Sequence, residues 1–176
     1  MRIITGKFRA KQIHPPGSLR ARPTTDFAKE SLFNIIENSF TIQTLEVLDL
    51  FAGTGNISYE FASRGAAAVE TVELDPFHSR FIRKTIHDLA FEQVRVVRAD
   101  AFRYLKHCSS QYDIIFADPP YDLKGIESLP HIIFERKLLK PHGWLIIEHG
   151  RNTRFEDHPK YMQGRQYGSV HFTFFA

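Results

Sequence analysis

Apolar residues along the chain recur with two different periods, and the way the periods alternate predicts an architecture. From Glu46 onward the short apolar runs VLDLF, VETVEL, VRVV, YDIIFA and WLIIE are separated by segments of helical period at 56–64, 76–90, 101–107 and 126–140. Short, mostly apolar runs suit strands covered on both faces, and a helix between successive strands implies right-handed βαβ crossovers. The pattern therefore predicts an α/β fold with a mostly parallel, doubly wound sheet. Upstream, Ala28, Leu32, Ile35 and Ile36 fall at i, i+4, i+7 and i+8, one face of a leading helix over 26–40 capped by Asp26 or Thr25. Before that helix, Arg2 to Ile4 and Phe8 to Ile13 predict an N-terminal hairpin, and the turn-rich stretch HPPGSLRARPTTD predicts no regular structure. Near the C-terminus, SVHFTFF alternates apolar and polar residues after Gly164 and Gly168, which predicts an antiparallel strand added to the sheet.

Length and composition limit what this pattern can build. A chain of 176 residues with 43% hydrophobic content supports one core and leaves no room for a second full domain. The expected organisation is a single domain over 1–176: a basic hairpin and loop over 1–25, the leading helix over 26–40, and the α/β core over 45–176. The net charge of +3 is unevenly spread, because Arg2, Lys7, Arg9, Lys11, Arg20 and Arg22 fall in the first 25 residues, which hold no acid. The rest of the chain carries 17 basic and 20 acidic side chains. A basic segment on a mildly acidic body suits contact with phosphates, and equally suits a solvated arm. Cys108 is the only cysteine, so no intrachain disulfide forms and a reducing, cytoplasmic setting is expected. The nine histidines include no pair at metal-ligand spacing, and no metal is expected. No uninterrupted apolar stretch approaches the roughly 18 residues of a membrane span.

In an open parallel sheet the ligand lies beyond the carboxyl ends of the strands, so the residues there carry the chemistry. The first strand ends in Asp49-Leu-Phe51-Ala52-Gly53-Thr54-Gly55 and runs straight into a helix beginning at Asn56. Glycines there allow a tight turn and close approach of backbone to ligand. A dinucleotide loop would read GxGxxG, whereas here Ser58 holds the last position and an acid precedes the loop. A carboxylate about 4 Å from a pyrophosphate costs on the order of 4 kcal/mol at an effective dielectric near 20, while it attracts a cation. S-adenosylmethionine carries an ammonium and a sulfonium and no phosphate, so it suits the loop better than a nicotinamide cofactor. The plainer alternative is that Asp49 caps its own loop amides. Glu73, followed by Leu74, ends the second strand 18 residues beyond Gly55, close to the offset of an acid that takes ribose hydroxyls. Asp75, in the turn before Pro76, is the weaker candidate. Asp100, followed by Ala101, ends the third strand and can accept from an adenine amine. Each of these acids could instead be a helix N-cap.

The fourth strand delivers Asp118-Pro119-Pro120-Tyr121. An exocyclic amine on a nucleobase is a poor nucleophile, because its lone pair is delocalised into the ring. Acceptors that draw its N–H groups toward tetrahedral geometry restore the lone pair. Asp118 offers one acceptor and the carbonyl of Pro119 a second, while consecutive prolines fix the backbone and remove competing amide donors. Tyr121 offers a ring on which a base swung out of its stack can lie. A rigid turn after a strand would use the same residues with no chemistry.

With these residues in view, the sequence resembles the RsmD-type bacterial 16S rRNA guanine-N2 methyltransferases, within the Rossmann-like class I S-adenosylmethionine enzymes. The resemblance spans nearly the whole chain and rests on RIITGKFR, RPTTD with LFN, DLFAGTG, SRGA, VELD, DPPY and a closing YG. DLFAGTG and DPPY are shared by many amino-methyltransferases, whereas the opening segment and RPTTD with LFN narrow the substrate. The resemblance implies that Thr24, Asp49, Phe51, Ala52, Gly53, Thr54, Gly55, Asn56, Glu73, Leu74, Asp100, Ala101 and Asp118 border the cofactor. It implies that Asp118, Pro119, Pro120 and Tyr121 hold the target guanine, and that Arg2, Lys7, Arg9, Lys11, Arg20 and Arg22 serve RNA. It further implies guanine 966 of 16S rRNA as the target, a small ribosomal subunit or its precursor as partner, and action as a monomer. Phe27 and Ala28 depart from the family, which commonly shows a basic residue there, as does Thr85, where asparagine is usual. A DNA adenine or cytosine N-methyltransferase shares DPPY but generally needs a recognition insertion that this chain has no room for. A protein-glutamine methyltransferase typically carries Asn at the place of Asp118. A non-catalytic ribosome-assembly factor and a nicotinamide-dependent oxidoreductase are the readings from other classes.

Overall fold

The computed structural model describes residues 1–19 and 24–176. Helix α1 spans Asp26–Glu37, and its N-cap is Thr25, whose side chain accepts from the amide of Ala28. The first strand, β1, spans Glu46–Leu50 and leads into α2 (Asn56–Ser63), β2 (Ala68–Glu73) and α3 (Pro76–Asp88). Then follow β3 (Val94–Arg98), α4 (Ala101–His107), β4 (Tyr112–Ala117) and α5 (Leu129–Glu135). The chain closes with β5 (Leu139–His149), β6 (Tyr161–Tyr167) and β7 (Val170–Phe175).

All seven strands form one sheet in the order β3-β2-β1-β4-β5-β7-β6, parallel through β5 and antiparallel for the last two. This is the expected doubly wound Rossmann-like sheet, and the order reverses between β1 and β4. Alternate residues of the central strands feed two apolar layers. Val47, Ile114, Phe116 and Ile146 join Ala28, Leu32 and Ile82 on the face of α1, α2 and α3. Leu48, Ile115, Ala117 and Leu145 join Leu105 and Ile133 on the face of α4 and α5. Each large apolar side chain so buried contributes roughly 1.5–3 kcal/mol relative to exposure.

Three elements differ from the sequence expectation. The expected hairpin over 2–13 is present but as a short ribbon: its arms share one antiparallel bridge, Arg2 to Gln12, with backbone bonds from Ile3 to Lys11, Ala10 to Ile3 and Ile13 to Met1, and it bonds to α2 as well. The amides of Ile4 and Thr5 donate to Glu60, those of Lys7 and Phe8 to Ser63, and Gly6 lies so close that a Cβ there would sit 1.9 Å from the Ser63 carbonyl oxygen. The helix expected over 126–140 stops at Glu135; Lys137 turns through a left-handed φ of 54°, and β5 already begins at Leu139. Lys140 to Gly143 bulge out within that strand, which is why Tyr112 pairs with Leu139 but Ile114 pairs with Trp144. Finally, β6 was not anticipated, and it is the edge strand beyond β7.

A buried knot of charge ties the N-terminal ribbon to the helices. Lys29, on the apolar face of α1, donates to the Arg2 carbonyl at 2.7 Å and Asn56 Oδ1 at 2.8 Å, and its Nζ lies 3.1 Å from Glu60 Oε2. Arg64 takes the other Glu60 oxygen at 2.9 Å and reaches Glu37 at 2.8 Å. All three ammonium hydrogens of Lys29 thereby find oxygen, which offsets its desolvation.

Candidate functional site at the strand ends

Register brings the strand ends into one row. Leu50 pairs with Val72 of β2 and with Ala117 of β4, Glu73 pairs with Arg98 of β3, and Ala117 pairs with Ile147 of β5. Phe51, Asp118 and Glu148 are therefore the next residues on three adjacent strands. Around them opens a cavity of about 820 Å³, within the range of cofactor-sized sites.

Ten of the sequence-selected residues line this cavity: Phe51, Gly53, Glu73, Leu74, Asp100, Ala101 and the four residues Asp118 to Tyr121. Gly53 and Asp118 thus border one space. The loop between β1 and α2 is shaped for close approach, with left-handed φ at Phe51 (59°), Gly53 (56°) and Gly55 (85°). Gly55 has no alternative, since a Cβ there would lie 2.6 Å from the Tyr59 ring.

Amides hold the cavity acids. Glu73 accepts from Gly53 N at 2.7 Å through one oxygen and from Asp75 N at 2.7 Å through the other, while the ring of His78 stands 3.9 Å away. Asp75 caps α3 by accepting from His78 and Phe77, and those two bonds, led by His78, hold its carboxyl below the usual range. Asp100 caps α4 by accepting from Arg103 N at 2.8 Å. N-capping and cavity lining thus coincide in Asp75 and Asp100; the two readings are compatible, because a carboxylate offers four lone-pair sites.

The other selected residues sit elsewhere. Asp49 does not line the cavity; it is buried beneath the loop, where its carboxylate accepts from the amide and hydroxyl of Ser58. That is the loop-capping arrangement. Burial, partly opposed by those two bonds and reinforced by nearby Glu73, pushes its carboxyl up to about 7. Asn56 accepts from Lys29, Thr54 donates to the Met1 sulfur, and Thr24 donates to Glu148 Oε2 at 2.7 Å. None of these three, nor Ala52 or Gly55, is on the cavity wall.

Of the basic residues, Lys7, Arg9 and Lys11 are exposed on the ribbon, and Lys7 lies 5.3 Å over the Phe8 ring. Arg2 is half-exposed and paired with Asp26 at 3.0 Å. Arg20 and Arg22 lie outside the described residues.

The cavity also holds residues not selected from the sequence: Thr25, His78, Arg98, Glu148 and Val170. Glu148 was findable, being a further acid near a strand's carboxyl end in WLIIEHG. Val170 belongs to the antiparallel addition and carries no chemical signal of its own. Tyr121 stands at the cavity with 44% exposure, and its ring lies against Gly150, where a Cβ would approach to 3.3 Å. A lining in which five acids, Glu73, Asp75, Asp100, Asp118 and Glu148, outnumber Arg98 and His78, with apolar side chains and a part-exposed tyrosine between them, suits a cationic, partly apolar cofactor beside a planar substrate. Among the described residues no group of His, Cys, Asp or Glu gathers to hold a metal, and no helix is long and apolar enough to cross a membrane.

Proteins of similar sequence and fold are known. The model of a family described as "Conserved hypothetical protein 95" matches residues 1–176. "Ribosomal RNA small subunit methyltransferase D" of Escherichia coli strain K12 is 34% identical over 148 residues, covering 84% of this chain and 71% of that protein. The solved structure described as "Putative methyltransferase yhhF from Escherichia coli" superimposes with a TM-score of 0.87 at 26% identity, covering 99% of this chain and 96% of the other. An RNA methyltransferase from Salinibacter ruber, solved in complex with S-adenosyl-L-homocysteine, shares the fold with a TM-score of 0.68 at 16% identity, over 88% of this chain and 92% of the other.

Proposed function

The chain belongs to the RsmD family of ribosomal RNA small subunit methyltransferases, and from that premise we propose that it moves a methyl group from S-adenosylmethionine to the N2 amine of a guanine in 16S rRNA. The observation that carries this reading is that one cavity is bordered both by Gly53, Glu73 and Asp100 and by Asp118 to Tyr121. Bound there, S-adenosylmethionine supplies an activated methyl on a good leaving group.

The chain's own residues do the rest. The Gly53 turn and its tie to Glu73 form the wall nearest β1; the remaining lone pairs of Glu73 face ribose hydroxyls, and Asp100 with Ala101 borders the adenine. Asp118 accepts one N–H of the target amine, and the Pro119 carbonyl accepts the other. This pair holds the nitrogen's lone pair toward the methyl, and the Asp118 carboxylate receives the proton released on transfer. Tyr121, fixed against Gly150, supports the base from one face. Asp49 acts from behind, fixing the start of α2 through Ser58. Lys7, Arg9 and Lys11 face the phosphates of the rRNA within a small ribosomal subunit or its precursor, with guanine 966 as the position addressed.

The test is nucleoside mass spectrometry of 16S rRNA from cells with and without the protein. One N2-methylguanosine should vanish and return with the wild-type gene. An unchanged set of methylated guanosines would sink the reading.

A further inference from the structure

Only five large apolar side chains are strongly exposed among the described residues, and they are not scattered. Leu74 and Tyr121 line the cavity, Phe77 follows Pro76 of its wall, and Phe27 stands two residues beyond Thr25 of its wall; Met162 alone lies elsewhere. Leu74 and Phe77 belong to the β2 side of the cavity, where the adenosine is assigned. Tyr121 and Phe27 belong to the opposite side, where β4 and α1 meet the mouth.

Phe27 has no role in the reaction described above. It is 68% exposed at the first turn of α1, while its neighbours Ala28 and Lys29 are fully buried. Its ring is nonetheless held: Tyr167 meets it edge to face at 5.8 Å and 79°, and Tyr167 in turn leans on buried Phe172 at 6.1 Å. Tyr167 pairs across the β6–β7 turn with Val170, another cavity residue. An aromatic ring braced by one neighbour and two-thirds exposed to solvent offers a stacking surface. Of the ribbon's cations, Arg2 pairs with Asp26 beside Phe27, while Lys7 and Arg9 are exposed farther along the ribbon, toward Ser63 at the other end of α2, where the rest of a bound strand would run.

We infer that Phe27, braced by Tyr167, stacks on an unpaired base of the RNA next to the target guanine and so fixes the strand while the target enters the cavity. The inference rests on the proposed function, because it needs an RNA with a base displaced at this mouth. It assigns Phe27 and Tyr167 as positioning residues for RNA that touch neither cofactor nor reacting atoms.

The test uses a short single-stranded RNA carrying 2-aminopurine, whose fluorescence is quenched by stacking, added to the protein saturated with S-adenosylhomocysteine. Phe27→Ala should weaken RNA binding about tenfold and remove the bound-state quenching, as expected for one lost base–aromatic stack. Phe27→Trp should restore both, and Phe27→Leu should restore neither, because a flat ring is required and not apolar bulk alone. Cofactor affinity and thermal midpoint should stay at wild-type values in all three, since the side chain is exposed. Wild-type RNA affinity and quenching in Phe27→Ala or Phe27→Leu would overturn the inference and leave the methyl-transfer reading standing. Failure of that reading shows separately, as absent methylation of rRNA by the wild-type protein.

Discussion

Glu60 and Glu73 are both buried acids, at 0% and 8% exposure, yet they are held in opposite ways. Glu60 is met by an ammonium and a guanidinium, with the amides of Ile4 and Thr5 completing its shell. Glu73 is met by the amides of Gly53 and Asp75, with a histidine ring at the edge of reach. Cations cancel a carboxylate's charge, whereas amides orient it and leave the charge in place. The first arrangement closes a structural knot, and the second leaves a negative wall facing a cavity. Burial therefore does not separate a structural acid from a ligand-binding one; the kind of donor around it does.

The largest effect that can break this contrast is on stability. Lys29→Ala leaves Glu60 with one cation fewer and strands the Arg2 carbonyl and Asn56, and removing one partner of a buried pair costs about 3–5 kcal/mol. Urea unfolding should show the unfolding free energy lowered by that amount, and the midpoint by that amount divided by an unchanged slope. A loss below about 1 kcal/mol, the size of a surface pair, would mean that the knot holds little.

A smaller effect sharpens the contrast. Asp49 is buried like Glu60 but held only by Ser58. Its carboxyl titrates near 7 in the fold against 3.8 in the unfolded chain. Between those values the folded state binds more protons than the unfolded one, so this residue's contribution to stability falls as pH rises from about 4 to 7. Asp49→Asn should remove that slope. Thermal midpoints of the two proteins should therefore diverge in the variant's favour as pH rises across this window, and parallel profiles would contradict the raised value.

Much of this was legible in the sequence because the central strands leave little choice: VLDLF and YDIIFA are apolar nearly throughout, and a parallel sheet covered on both faces is what such runs build. The strand-end acids followed from topology alone. By contrast β6, YMQGRQY, is exposed, polar and broken by Gly164, so its pairing is set by the neighbouring β7 and not by any pattern of its own. The start of β5 was hidden because Pro141-His142-Gly143 reads as a turn, whereas it forms a bulge inside the strand. Lys29 reads as a surface position on an amphipathic helix; its burial depends on the ribbon crossing over α1 and α2, a tertiary fact with no local signal. The direction of the Asp49 side chain was open between cavity and loop for the same reason.

The division of labour within the cavity can be tested by pairing two variants in one titration series. S-adenosylmethionine binding is measured calorimetrically for wild type, Glu73→Ala and Asp118→Ala, and each is assayed for methyl transfer to small ribosomal subunits from cells lacking the protein. Glu73→Ala should lose about tenfold or more in cofactor affinity, roughly the 1.4 kcal/mol or more of one charge-assisted bond. Asp118→Ala should bind the cofactor much as wild type does while transfer falls by about 10²–10⁴-fold, the range of a positioned proton acceptor. Equal loss of binding and transfer in Asp118→Ala would place that carboxylate on the cofactor and contradict its role on the base.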